Sequence, residues 1–183
     1  SKMNYFLYVG TIQPRKNIER LIEAFAEVEK EHNDIKLVIV GKKGWLYDDI
    51  FEKVIELNMQ DKIIFTGFLL DADLAILYQH ATAFVLPSLY EGFGIPVLEA
   101  MSFGCPVICS ETSSLPEVGG DACLYINPSD TMDITKKMQQ ILSDDKLRET
   151  LATKGKLRTK IFSWEKCGRE TLGILISAAN AKK

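Results

Sequence analysis

Tyr5-Phe-Leu-Tyr-Val-Gly-Thr-Ile-Gln-Pro-Arg-Lys-Asn17 is a short apolar run, then a polar loop, then the threshold of a periodic stripe. Tyr5–Val9 is apolar at every position and rich in aromatic and β-branched residues, as a strand buried on both faces would be. Gly10 follows at once, where the chain must turn closely. Beyond Asn17, the apolar residues Ile18, Leu21, Ile22, Phe25 and Val28 recur at intervals of three and four, so one helical face is apolar. Asn17 stands where a helix N-cap is expected.

The same strand, loop and helix unit repeats along the chain. Lys36–Val40, Lys62–Phe65, Ala83–Leu86, Pro106–Cys109 and Ala122–Tyr125 read as further strands. Helical patterns lie between them. Ile50, Phe51, Val54, Ile55 and Leu57 mark one, and Leu74, Leu77 and Tyr78 mark a short one. Ile95–Phe103 is another, with Pro96 near its first turn and Gly104 just past its end. After Tyr125 only helices are expected, at Thr131–Leu142, Asp145–Ile161 and Trp164–Ala179; they would cover the sheet and lead away from it. The alternation predicts an α/β fold: a doubly wound, mostly parallel, six-stranded Rossmann-like sheet with helices on both faces and extra C-terminal helices.

Composition supports one folded domain. The chain has 183 residues, of which 46% are apolar, with a formal net charge of −3. That apolar fraction excludes general disorder and supplies a core. No apolar run reaches the roughly 18–20 residues that cross a bilayer. Tyr5–Val9 is too short for a secretory leader, and the expected location is the cytoplasm. The acidic balance argues against nucleic acid as a partner. Cys105, Cys109, Cys123 and Cys167 form no CxxC pair, and only His32 and His80 could join them, so no zinc site is expected and the thiols read as reduced and buried. Lys136-Lys137 and Lys182-Lys183 read as solvated surface charges. Ser1-Lys2-Met3 reads as a remnant of expression. Because a buried strand begins almost at once, the sequence is expected to be the second half of something larger.

In an open parallel sheet, ligands bind beyond the carboxyl ends of the strands. After Val9, Arg15 and Lys16 stand at the mouth of a helix, whose N-terminus carries about half a positive charge. Two cations there suit a charged ligand such as a diphosphate. Gly41-Lys-Lys-Gly44 and Thr66-Gly-Phe-Leu69 each place glycine at or beyond a strand end. After Leu86 comes Pro87-Ser-Leu-Tyr-Glu-Gly-Phe-Gly-Ile-Pro-Val-Leu-Glu99. With a helix from Ile95, Glu99 lies about one turn in, roughly 6 Å along the axis, and Glu91 lies in the loop. Both carboxylates are expected to face one crevice and to accept from paired hydroxyls. Gly92 and Gly94 free the loop for positive φ or close approach, and the N–H groups near Gly94 and Ile95 point out of the helix start.

These segments resemble the retaining glycosyltransferases of the GT-B plan, the glycosyl transferases group 1, in their C-terminal, nucleotide-sugar-binding half. The likeness rests on Gly10–Asn17, on the Glu-x7-Glu pair Glu91–Glu99 continued by Ala100–Val107, and on the stretches Ser114–Val118 and Phe162–Trp164. The resemblance implies that Lys16, helped by Arg15, neutralises a donor diphosphate, that Glu91 holds the donor sugar and that Glu99 holds ribose hydroxyls. It places the backbone of Phe93, Gly94 and Ile95 beside sugar and phosphate, and Gly67, Phe68 and Leu69 along the base. Gly10, Thr11 and Gly41 would complete the nucleotide-sugar site. Many relatives carry Arg where this chain has Thr11, and Arg15 would supply that charge. The implied reaction is sugar transfer with retention, with no metal and no bound cofactor. The donor leans toward GDP-mannose, and the acceptor is a glycan or lipid-linked glycan. The acceptor half would be a missing N-terminal domain, through which any contact with the inner face of a membrane would come. The fragment alone is expected to be nearly inactive.

Other chemistries fit less well. Asp71-Ala-Asp73 matches a metal-binding Asp-x-Asp, but it opens a helix, where Asp71 can cap and both acids suit the dipole. No G-x-G-x-x-G follows a strand, and no G-x-x-x-x-G-K-[ST] or G-x-S-x-G occurs. No lysine in an apolar run is ready for the pyridoxal phosphate of a phosphorylase-type relative. The alternative is a sugar-nucleotide epimerase of the same plan, or a binding module without catalysis.

Overall fold

Each apolar run forms a strand. The structure, a computed structural model, describes residues 4–45 and 48–181. Ser1-Lys2-Met3 and Lys182-Lys183 lie outside the described residues. Strands β1 (Asn4–Val9), β2 (Ile35–Val40), β3 (Ile63–Gly67), β4 (Ala83–Leu86), β5 (Val107–Ser110) and β6 (Cys123–Ile126) form one sheet in the order β3-β2-β1-β4-β5-β6. Every pairing is parallel. β1 and β4 are therefore neighbours although two strands separate them in sequence. The order reverses at that seam, which opens a crevice beyond the strands' carboxyl ends.

The helices are α1 (Ile18–Glu29), α2 (Asp48–Glu56), α3 (Asp71–His80), α4 (Ile95–Ser102), α5 (Leu115–Gly119), α6 (Thr131–Ser143), α7 (Asp145–Thr159) and α8 (Trp164–Asn180). α1 packs against α2 and α6 in one layer, and α4 packs against α3, α5 and α7 in the other. The stripe of α1 buries as its periodicity requires: Ile18, Leu21, Ile22, Phe25 and Val28 are inaccessible to solvent. α8 leads away, with no buried residue and with Trp164, Ile174 and Leu175 exposed. Among the described residues no helix is long and apolar enough to cross a membrane.

Several local expectations change. α5 is absent from the sequence pattern because five residues are too few to display a period. Asp71 does not cap α3: the helix already begins there, Leu70 occupies the cap position, and Asp71 and Asp73 instead both sit in the first turn. Cys105, Cys109 and Cys123 are buried free thiols, with burial pushing the Cys105 thiol up to about 12, whereas Cys167 is exposed on α8.

The two loops beyond β1 and β2 press together. The Gly10 N–H donates to the Val40 carbonyl at 2.9 Å, and the Ile12 N–H donates to the Lys42 carbonyl at 2.9 Å. A methyl group on Gly41 would stand 1.9 Å from the Gly10 carbonyl oxygen. Gly41 is thus required by backbone packing against the Gly10 loop. Gly41→Ala is expected to lower stability by about 2–4 kcal/mol in urea unfolding. Gly92→Ala, where an added methyl meets nothing within 4 Å, is expected to leave stability unchanged; equal effects would contradict this packing.

Candidate functional site

At the seam between β1 and β4, the loops that leave those two strands stand as two facing walls. The first loop, held along Gly41–Gly44 by backbone hydrogen bonds, ends in a 3-10 turn over Pro14–Lys16. Proline at the start of the turn fixes φ where a turn needs it. Asn17 follows in the left-handed region, at φ 59°. Its side chain does not cap α1. Instead its amide donates to the carbonyls of Pro87 (2.9 Å) and Pro128 (2.7 Å), while Arg20 donates to its Oδ1 at 2.8 Å. Buried, Asn17 ties the β1 loop to the segments after β4 and β6. The Leu89 N–H donates to the Arg15 carbonyl at 3.0 Å and closes the two walls together.

Between those walls lies Glu91, almost wholly buried. Lys16 Nζ lies 2.6 Å from Glu91 Oε1, and Arg15 Nη1 lies 3.5 Å from Oε2. Arg15 Nη1 also donates to the Tyr90 carbonyl at 2.7 Å. The Ser88 hydroxyl, fully buried, donates to the same Oε1 at 2.6 Å. The backbone of Glu91 is fixed as well: its N–H donates to Ser113 Oγ at 3.0 Å, and its carbonyl accepts from Ser114 Oγ at 3.0 Å. Beneath the cluster, Tyr8 is fully buried. Burial pushes its hydroxyl well above its ordinary range, the Glu91 charge adds to that shift and Arg15 opposes it.

A buried ion pair is a weak source of stability, since apolar packing of equal volume serves as well. Of the six buried polar or charged side chains among the described residues, four (Gln13, Asn17, Ser88 and Glu91) belong to these two loops. That concentration at the strand ends is expected of a site that holds a polar ligand. Among the described residues no three side chains of His, Cys, Asp or Glu gather as around a metal ion.

Arg15, Lys16 and Glu91 thus meet as the sequence predicts. Gly94 and Ile95 form the adjoining start of α4. Gly94 has φ 100°, and a methyl group there would lie 2.6 Å from Leu115 Cδ2, so both conformation and space demand glycine. Gly92 has no positive φ, and open space lies where its side chain would stand. The exposed Phe93 ring packs edge-on against Phe162 at 5.9 Å. Glu99, on α4, makes no hydrogen bond or ion pair with the side chains of Arg15, Lys16 or Glu91; its carboxylate accepts from the hydroxyl of Tyr78 on α3 at 3.1 Å. Burial, then the Glu99 charge, pushes that hydroxyl well up, so Tyr78 stays a neutral donor. Gly10 and Gly41 stand at the paired loops, and Thr11 is exposed, its carbonyl accepting from Tyr8 at 3.4 Å. Gly67, at φ 72°, ends β3 and leads into Phe68 and Leu69, with Lys42 Nζ 4.8 Å above the Phe68 ring. Sequence reasoning assigned no role to Tyr8, Ser88, Ser113 or Ser114. Ser88 and Ser114 lie inside the quoted segments, but a serine carries no signal of what it will face.

Comparison with known proteins agrees with this architecture. The family described as glycosyl transferases group 1 matches residues 1–158. The chain is 44% identical over 170 residues to the O-antigen chain mannosyltransferase B of Escherichia coli, covering 92% of this chain and 44% of that protein. Among solved structures it is similar to a sucrose-phosphate synthase from Thermosynechococcus elongatus, with TM-score 0.84 and 31% identity over 98% of this chain and 46% of that one. It is also similar to the C-terminal domain of a glycosyl transferase group 1 family protein from Francisella tularensis, with TM-score 0.76 and 28% identity over 86% of this chain and 85% of that one. The chain therefore spans less than half the length of the mannosyltransferase and of the synthase.

The hydroxyl of Ser88 is one of three donors on an almost buried carboxylate. Ser88→Ala is expected to lower stability by about 1.5–3 kcal/mol, read by chemical denaturation. An unchanged unfolding midpoint would mean that the hydroxyl does not hold Glu91.

Proposed function

The chain belongs to the glycosyl transferases group 1, and on that premise we propose that it is the nucleotide-sugar-binding half of a two-domain retaining glycosyltransferase. The donor would be a nucleoside-diphosphate sugar, with GDP-mannose favoured because the similar Escherichia coli protein is named a mannosyltransferase. The acceptor would be a glycan or lipid-linked glycan carried by an N-terminal domain. The match to a C-terminal domain over most of its length supports the assignment of halves.

One observation carries the proposal: two cations and a buried carboxylate meet at the seam where the strand order reverses. In sugar transfer, the bond from the anomeric carbon to the diphosphate breaks, and negative charge grows on the departing phosphate. Lys16, Arg15 and the helix start beyond them would stabilise that charge in place, a kind of preorganised electrostatics that is usually a large catalytic contribution. Positive charge would come from these side chains rather than from a metal ion. Glu91, a pure acceptor when ionised, would take hydroxyls of the donor sugar. Glu99, oriented by Tyr78, would take the ribose hydroxyls, and Gly67, Phe68 and Leu69 would edge the base. With no acceptor half, the isolated chain would bind nucleotide weakly and transfer little sugar.

Lys16→Ala in the full-length enzyme is expected to abolish turnover, a loss of about 10²-fold or more, measured as nucleoside diphosphate released with glycosylated acceptor. Near-normal turnover would contradict the assignment. Change of the donor sugar's configuration without acceptor would instead identify an epimerase.

A further inference from the structure

The Glu91 carboxylate already occupies the cation pair that a diphosphate would use. Lys16 Nζ and Ser88 Oγ each lie 2.6 Å from its Oε1, and Arg15 reaches Oε2 at 3.5 Å. A diphosphate brought beside the same cations would stand near a like charge, and close like charges in a partly buried site repel strongly.

We propose that Glu91 is a built-in counter-anion of Lys16 and Arg15: a ligand must draw the cations away from it, and their return to it expels bare diphosphate. This rests on Lys16 and Arg15 being the diphosphate cations. The two partners differ in freedom to move. Glu91 is pinned through its N–H by Ser113, through its carbonyl by Ser114, and at its carboxylate by the fully buried Ser88. Arg15 has a half-exposed side chain, and Lys16, though only 12% exposed, reaches Glu91 on a long, rotatable stem with no other side-chain hydrogen bond among the described residues. The cations therefore turn to the ligand while the carboxylate stays, with Ser88 as its remaining protein donor. A donor that carries a sugar compensates the carboxylate with new hydroxyl donors. A diphosphate without sugar leaves it short of partners in a poorly solvated place. The exchange thus favours the sugar-bearing nucleotide over the spent product, and a charge in the binding site assists product release.

Calorimetric titration of the 183-residue chain with inorganic pyrophosphate tests this without involving a base or a sugar. Glu91→Gln removes the charge and keeps the shape; it is expected to bind pyrophosphate about tenfold more tightly than the parent chain. Lys16→Ala is expected to weaken binding by about tenfold or more in both backgrounds. Glu91→Ala, with its fold checked by circular dichroism, repeats the comparison should the glutamine variant not fold. Binding to the charge-free variant that is no tighter than to the parent, while Lys16→Ala still weakens it, would overturn the counter-anion and leave the cation role standing. No loss on Lys16→Ala in either background would overturn both.

Discussion

A carboxylate taken out of water must be met by donors or charges, and the neighbourhood of Glu91 is organised by that requirement. Two cations come from the loop after β1, one hydroxyl from its own loop after β4, and two more hydroxyls fix its backbone from the segment after β5. Three separate strand ends thus converge on one residue. The two cation contacts could not form if β1 and β4 were not neighbours, so the pairing of charge depends on the strand order.

The glycines and the asparagine serve the same convergence from a distance. Gly41 lets the second loop lie against the first. Asn17, in the left-handed region and buried, joins the first loop to the segments after β4 and β6. Gly94 allows the chain to enter α4 under Leu115. The loop that carries the cations is consequently fixed by packed backbone, while their long side chains keep the freedom to turn from Glu91 to a ligand.

Much of this was legible from the chain alone. The six apolar runs were long enough and the stripe of Ile18 to Val28 regular enough to fix element types, because burial on two faces or on one stripe leaves a periodic trace. The meeting of Arg15, Lys16 and Glu91 also followed, since strand-end loops share one side of a parallel sheet. What escaped were contacts without a periodic trace. Asn17 looked like a helix cap because its type and position suited one, yet its amide found carbonyls on other loops. Ser88, Ser113 and Ser114 are common polar residues whose partners are set by tertiary placement. Glu99 was expected to face the same crevice as Glu91, and its Tyr78 partner on α3 is a tertiary contact that spacing does not announce.

The central claim is that the Lys16–Arg15–Glu91 cluster receives the diphosphate of a nucleotide. A crystal structure of the chain with bound GDP tests it most directly. Phosphate oxygens within hydrogen-bond distance of Lys16 Nζ and Arg15, with the ribose beside Glu99, are the predicted result. A nucleotide lying elsewhere, with Lys16 still on Glu91 and no phosphate near either cation, would contradict it.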